Sequence, residues 1–212
     1  MAEFIYITNN SLSNDFCNQI ILNVNTQILK NDFSENDFYK IQKIELIIHK
    51  DEQEIQKYLI EEIGKHLNIY LSYLKKFYNI ILSQKFCINS ITIFKMINNV
   101  GFIPYQNNDL GNVITTNSMI EKQNIFTFMW FLNDDFENGE TVFLNDNVIK
   151  AEKGKLVIFP SEWFIPNKSN IPIGNDKYVL ICWIYVDNFL DSKKVWFDDH
   201  LKCAESKSQY KL

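Results

Sequence analysis

Arginine is absent from this chain; all 21 basic residues are lysine. Without guanidinium there is no bidentate clamp for carboxylate or phosphate, so any bound anion must be held by lysine, hydroxyl or backbone groups. Glycine (6) and proline (4) are scarce as well, and no Gly- or Pro-rich linker, low-complexity tract or repeat divides the chain. The simplest cause of the abundant asparagine, isoleucine and lysine is an AT-rich genome, as in many large DNA viruses, some phages, parasites and endosymbionts. The four cysteines, Cys17, Cys87, Cys182 and Cys203, are widely spaced without a C-x-x-C pair, which argues against a zinc cluster. Cys17 and Cys182 lie in apolar stretches and are expected to be buried free thiols, favouring a reducing, cytoplasmic or otherwise intracellular compartment, viral infection included. No run of 18 apolar residues exists, so no membrane span is expected. The N-terminal MAEFIYITNN has no basic stretch or long apolar core, so no secretory signal is expected.

What remains is the composition of a globular domain. The chain has 212 residues, of which 46% are hydrophobic and 22% charged, enough to build a sizeable core. A net charge of −5 argues against general nucleic-acid or anionic-membrane binding, which needs a basic footprint.

The periodicities separate two textures. FIYIT (4–8) and IQKIELII (41–48) read as short strands. SLSNDFCNQIILNVNTQILK (11–30) reads as a helix capped by Ser13 or Asn14, with Phe16, Ile20, Val24 and Ile28 on one face. Residues 51–81 form a long amphipathic helix with an apolar stripe of Ile55, Leu59, Ile63, Leu67, Leu71 and Leu74. Gly64 is expected to bend or split it, at a cost of about 1 kcal/mol relative to alanine. From residue 88 come five strands: INSITIFKMI, NIFTFMWFL, ETVFL, KLVIF and KYVLICWIYV. The expected fold is α+β: a single domain over 1–190, helical over 1–85 and β-rich over 86–190, with a C-terminal extension over 191–212. Within the β-rich part, Phe126, Phe128, Trp130 and Phe131 are expected in the core rather than on a base-stacking surface.

Three stretches carry a further pattern. FLNDDFENGETVF (131–143) is a strand end followed by an acidic turn, which is read as a solvated hairpin rather than a calcium loop. KGKLVIFPSEW (153–163) is a lysine–glycine turn and an apolar strand, and NIPIGNDKYVLICW (170–183) is a turn followed by a strand opened by Lys177. Together with NNSLSNDFCNQII (9–21), these resemble the 2-oxoglutarate/Fe(II)-dependent dioxygenases of the prolyl 4-hydroxylase-like branch, through Leu132, Asn133, Asp134, Gly139, Glu140, Thr141 and Phe143. The resemblance implies a double-stranded β-helix, or jelly roll, buttressed by the N-terminal helices.

It also implies an iron site made of a histidine, a carboxylate two residues later and a distant second histidine, with a basic residue holding the far carboxylate of 2-oxoglutarate. Carried over, the second histidine falls on Asn167 and the basic residue on Lys177. The first pair falls on Gln106 and Asn108 in GFIPYQNND; a one-residue shift gives Asn107 and Asp109. The tyrosine that helps hold the cosubstrate, expected near Met96 or Ile97, is missing, as is the arginine expected where Lys122 and Gln123 stand. The three histidines, His49, His66 and His200, all lie outside the β-rich ligand region and read as surface or helix-face residues, with His200 after Asp198 and Asp199 kept open as a weak adventitious metal site.

Amide oxygens bring no anionic charge to offset the desolvation of a divalent cation, so affinity for Fe(II) is expected to collapse. Lys177 has two readings. A strand-opening lysine is ordinarily a surface residue; but it shares the period-two face of Val179, Ile181 and Trp183, and if that face lines the jelly roll the ammonium seeks an anion. The expectation is a degenerate oxygenase-fold protein with no metal cofactor, acting as a binding or structural module. Its partners would be a small anion, a peptide or protein, or further copies of itself, as in a virus particle; nucleic acid and membrane are not among them. The alternative is an active 2-oxoglutarate-dependent hydroxylase of a protein or peptide side chain, using Fe(II) through unorthodox ligands. A third reading is a purely structural protein, which filling of the space around Lys177 by the chain's own groups would favour.

Overall fold

The computed structural model describes residues 4–30, 41–45, 53–80, 82, 85–99, 124–143, 147–161, 165 and 167–186. Gln106, Asn107, Asn108, Asp109, Lys122, Gln123, His49, His200, Cys203 and the 191–212 extension lie outside the described residues.

Two helices precede most of the sheet. Helix α1 (Asn14–Lys30) begins where Ser13 caps it, the Phe16 N–H donating to Ser13 Oγ at 3.2 Å. Its inner face buries Cys17, Ile20 and Val24. Helix α2 (Gln53–Tyr78) runs unbroken through Gly64, so the helix is not split there. Its apolar stripe supplies the reason: Ile55, Leu59, Ile63, Leu67 and Leu74 are all buried, and burial at roughly 25 cal/mol per Å² outweighs one glycine's propensity. Asn79, with φ 54°, ends the helix by sending its N–H back to Lys75 O at 3.1 Å.

The strands are β1 (Tyr6–Thr8), β2 (Ile41–Glu45), β3 (Phe86–Met96), β4 (Asn124–Phe131), β5 (Glu137–Asn138), β6 (Thr141–Phe143), β7 (Asn147–Ile149), β8 (Leu156–Pro160), β9 (Asn167–Ser169), β10 (Pro172–Ile173) and β11 (Lys177–Val186). Six of them form a sheet in the order β1-β8-β4-β11-β3-β2, with β6 central in a second sheet, β7-β6-β9, and β10 pairing β5. All the pairings are antiparallel. This is the jelly roll with helices on its outer face.

The large sheet separates two cores, and the period-two rule decides which side chain enters which. Phe126, Phe128, Trp130, Leu156, Ile158, Tyr178, Leu180, Cys182 and Ile184 pack with the helices. Met129, Phe131, Val157, Phe159 and Val179 face the other way, meeting Phe143, Ile149, Ala151 and Ile165 inside the roll. The aromatics of β4 are therefore core residues, as their apolar run requires. Cys17, Cys87 and Cys182 are buried, and Cys17 and Cys182 are free thiols. No helix among the described residues is long and apolar enough to cross a membrane.

Candidate functional site

Lys177 opens β11 on the interior face, beside Phe131 and two residues from Val179. It is fully buried. Its ammonium donates to Gly139 O and to Ser169 Oγ, each at 2.7 Å, and lies 5.2 Å from the centre of the Phe131 ring. Burial, with no carboxylate in contact among the described residues, lowers its pKa from 10.5 to about 7, and Glu140 pulls it upward. The charged form is thus expensive here, and two neutral acceptors and a ring face offset part of that cost.

Each contact traces to the motif residues. Asn133, at the end of the L-N-D run, accepts the Tyr178 N–H through Oδ1 at 2.8 Å. Its Nδ2 donates to Asp176 O at 2.8 Å and to Asp135 Oδ1 at 2.7 Å. One side chain thereby pins the backbone on both sides of Lys177. Asp134 Oδ2 accepts the Lys153 N–H at 3.0 Å, so the acidic turn is a hydrogen-bonded, solvated connection. Gly139 has φ +73°, and a Cβ there would press into the Phe136 ring; glycine lets its carbonyl turn inward to the lysine. Glu140 Oε2 accepts from Asn170 Nδ2 at 3.0 Å, a bond that holds its carboxyl below the usual range.

At the mouth of β11, burial pushes Asp176 upward, but hydrogen bonds from Asn98 and Lys95 outweigh it and leave it lowered. Met96 lies directly across from Lys177 in the β3–β11 register, where the resemblance expects a tyrosine.

Asn167 opens β9 and pairs with Phe143 of β6, while Ser169, two residues on, pairs with Thr141. The two side chains share a face of β9. Ser169 reaches Lys177; Asn167 Nδ2 is buried with no hydrogen-bond partner. The structure thus brings Asn167 and Lys177 onto elements joined through Ser169, and it places none of the four positions 106–109.

The donor chemistry does not fit Fe(II) at Asn167. An amide oxygen is a weak, uncharged ligand, and the buried amide NH2 presents the same sign of charge as a cation. Among the described residues there is no cluster of three or more His, Cys, Asp or Glu able to hold a metal. The ammonium carries three N–H donors, of which Gly139 O and Ser169 Oγ take two. These two partners were missed from sequence because one is a backbone carbonyl and the other a neutral hydroxyl in a three-residue strand. His66, read as a surface or helix-face residue, lies on a helix face but is buried.

No protein-family model matches the sequence, and no curated protein matches it significantly. Solved structures do match. The viral collagen prolyl hydroxylase vCPH of Paramecium bursaria Chlorella virus-1, in complex with 2OG, superposes with a TM-score of 0.61 at 15% identity, over 87% of this chain and 97% of that one. A prolyl hydroxylase from Trichoplax adhaerens, complexed with a peptide of the hypoxia-inducible-factor oxygen degradation domain, gives 0.58 at 14% identity, over 87% and 84%. A Pseudomonas putida prolyl-4-hydroxylase gives 0.55 at 12% identity, over 87% and 94%. The chain therefore has the fold of the prolyl-hydroxylase-like 2-oxoglutarate/Fe(II) oxygenases.

Proposed function

We propose that this protein is a pseudoenzyme: an oxygenase-fold module without iron chemistry, which works by binding a partner or as a structural part. The observation that carries the reading is Lys177. The residue that resemblance assigns to the cosubstrate is fully buried and held by the chain's own Gly139 O and Ser169 Oγ. Asn167 supports it, because an amide stands where the iron histidine is expected. Fold likeness alone does not carry the activity of the neighbours over to this chain. A second reading, in which a small carboxylate still enters, is supported by the buried Asn167 Nδ2, an N–H donor with no acceptor.

The test is anaerobic reconstitution with Fe(II) or Mn(II) and 2-oxoglutarate, followed by metal analysis and an assay for succinate across a peptide panel. The expected result is no stoichiometric metal and no iron-dependent succinate. A metal bound through Gln106, Asn108 or Asn167, or iron-dependent turnover, would establish the active hydroxylase instead. Binding of 2-oxoglutarate in the presence of chelator, without turnover, would select the small-carboxylate reading.

A further inference from the structure

A second buried polar cluster lies on the opposite side of the large sheet, away from Lys177. Ser11, in the segment before α1, is fastened to the β-rich half by its own N–H, which donates to Gly154 O at 2.8 Å. Its hydroxyl accepts the Trp130 Nε1–H of β4 at 3.0 Å and lies 2.9 Å from His66 Nε2 of α2. One oxygen thus joins the long helix to the centre of the sheet. Trp130 is fully buried and His66 is 5% exposed. Glu62 Oε2 lies 3.3 Å from the same Nε2 and is shared with Lys65, whose Nζ is 3.0 Å away. His66 Nδ1 is buried and has no partner.

The carboxylate 3.3 Å from Nε2 favours the tautomer with its proton on that nitrogen, and we assign the neutral ring as Nε2–H with Nδ1 a bare lone pair. A second proton can go only to Nδ1, where it would create a charged, buried donor with nothing to receive it. We propose that Ser11, His66 and Trp130 form a proton-operated latch between α2 and the central sheet, closed while His66 is neutral and released when Nδ1 is protonated. To hydrate Nδ1–H the ring must leave its seat, and Ser11 then loses its contact with the helix. The charged groups acting on the ring are Glu62 and Lys65, both on α2; Ser11 and Trp130, which it meets from the other two elements, are neutral. Burial, aided by Lys65 and opposed by Glu62, holds the ring below its usual 6.5.

The test is NMR on the full chain with 15N label, following the His66 ring and the Trp130 indole from pH 8 to pH 5, with the indole assigned through Trp130→Phe. The expected result is a His66 titration below 6.5, with the Trp130 indole signal moving at the same midpoint. Amide protection along α2, corrected for intrinsic exchange, should fall by up to about tenfold per pH unit between 6.5 and that midpoint and level off below it. His66→Gln should abolish the movement of the indole, and Ser11→Ala should leave the His66 titration but uncouple Trp130 from it. A Trp130 signal that stays still while His66 titrates in the unaltered protein, or that still moves in His66→Gln, overturns the latch. Should His66→Gln fail to fold, the unaltered protein and Ser11→Ala decide the question alone.

Discussion

Strand β11 shows a different chemistry to each side of the sheet it helps to form. Toward the helices it presents Tyr178, Leu180, Cys182 and Ile184 among a broad aromatic and aliphatic core. Toward the inside of the roll it presents Lys177, Val179 and Ile181, in a smaller core whose wall includes Ser169 and Asn167. Each core also holds one buried base whose pKa is depressed by desolvation, Lys177 inside the roll and His66 beneath α2. The outer core is organised to hold helices on a sheet, and its polar residues act as ties between elements. The inner core is organised around an amine that has acceptors but, among the described residues, no contacting carboxylate. A scaffold that stays folded on its outer face can change the chemistry of its inner face, and Asn167, on β9 beside Ser169, lies on that inner face.

The sharpest way to break this comparison is a matched pair of truncations. Phe128 and Phe159 are both fully buried, the first toward the helices and the second inside the roll against Phe143. Phe128→Ala is expected to cost about 4–5 kcal/mol, because two helices and the sheet close around the lost ring and relax little. Phe159→Ala should cost about 3 kcal/mol, because the thin second sheet can settle inward. Urea midpoints at constant slope provide the measurement. Equal losses would mean that the two cores carry the fold equally.

Much of this division was readable from the residues, and the unreadable part has identifiable causes. The apolar run KYVLICWIYV marks β11 to the residue, and its alternation puts Lys177 on the face of Val179 and Ile181, as found. Phe126, Phe128 and Trp130 were legible as core for the same reason. Strands β5, β7, β9 and β10, of two or three residues each, have too few positions to show a period. The acceptors of Lys177 were hidden because a carbonyl leaves no mark in a side-chain pattern and Ser169 looks like any turn serine. The Ser11–His66–Trp130 cluster joins residues separated by 55 and 119 positions, which no local pattern can bring together. Of the positions that the sequence resemblance assigns to iron ligands, Asn167 is among the described residues, and Gln106, Asn107, Asn108 and Asp109 lie outside them.

A second test sets the two buried bases against each other through pH. Lys177 titrates near 7 in the folded chain and at 10.5 when unfolded, so between those values the unfolded chain holds more protons. Stability should therefore rise with pH across that window, by about 3 kcal/mol once relaxation of the site is allowed for. Lys177→Met should flatten the rise, since a thioether fills the space without titrating. His66 is lowered from 6.5, so its contribution is complete above 6.5 and is lost as pH falls below it. The two windows do not overlap, and denaturation midpoints from pH 5 to pH 10 separate them. A flat profile above pH 7 in the unaltered protein would show that Lys177 keeps its charge, as it would with a bound anion.

The smallest expected effect asks whether the oxygenase-like L-N-D run is kept for folding or for chemistry. The Asn133 amide holds the Tyr178 N–H and the Asp176 carbonyl, the backbone groups flanking Lys177. In Asn133→Ala the Tyr178 N–H loses its acceptor in a buried place, which should cost about 2 kcal/mol. Because that bond sets where β11 begins, the same variant should also loosen the seat of Lys177 and raise its pKa toward the unfolded value. The rise of stability above pH 7 would then be reduced along with the urea midpoint. If the midpoint falls but the pH profile is unchanged, Asn133 fixes the turn alone, and the ammonium is positioned by Gly139 and Ser169 without it.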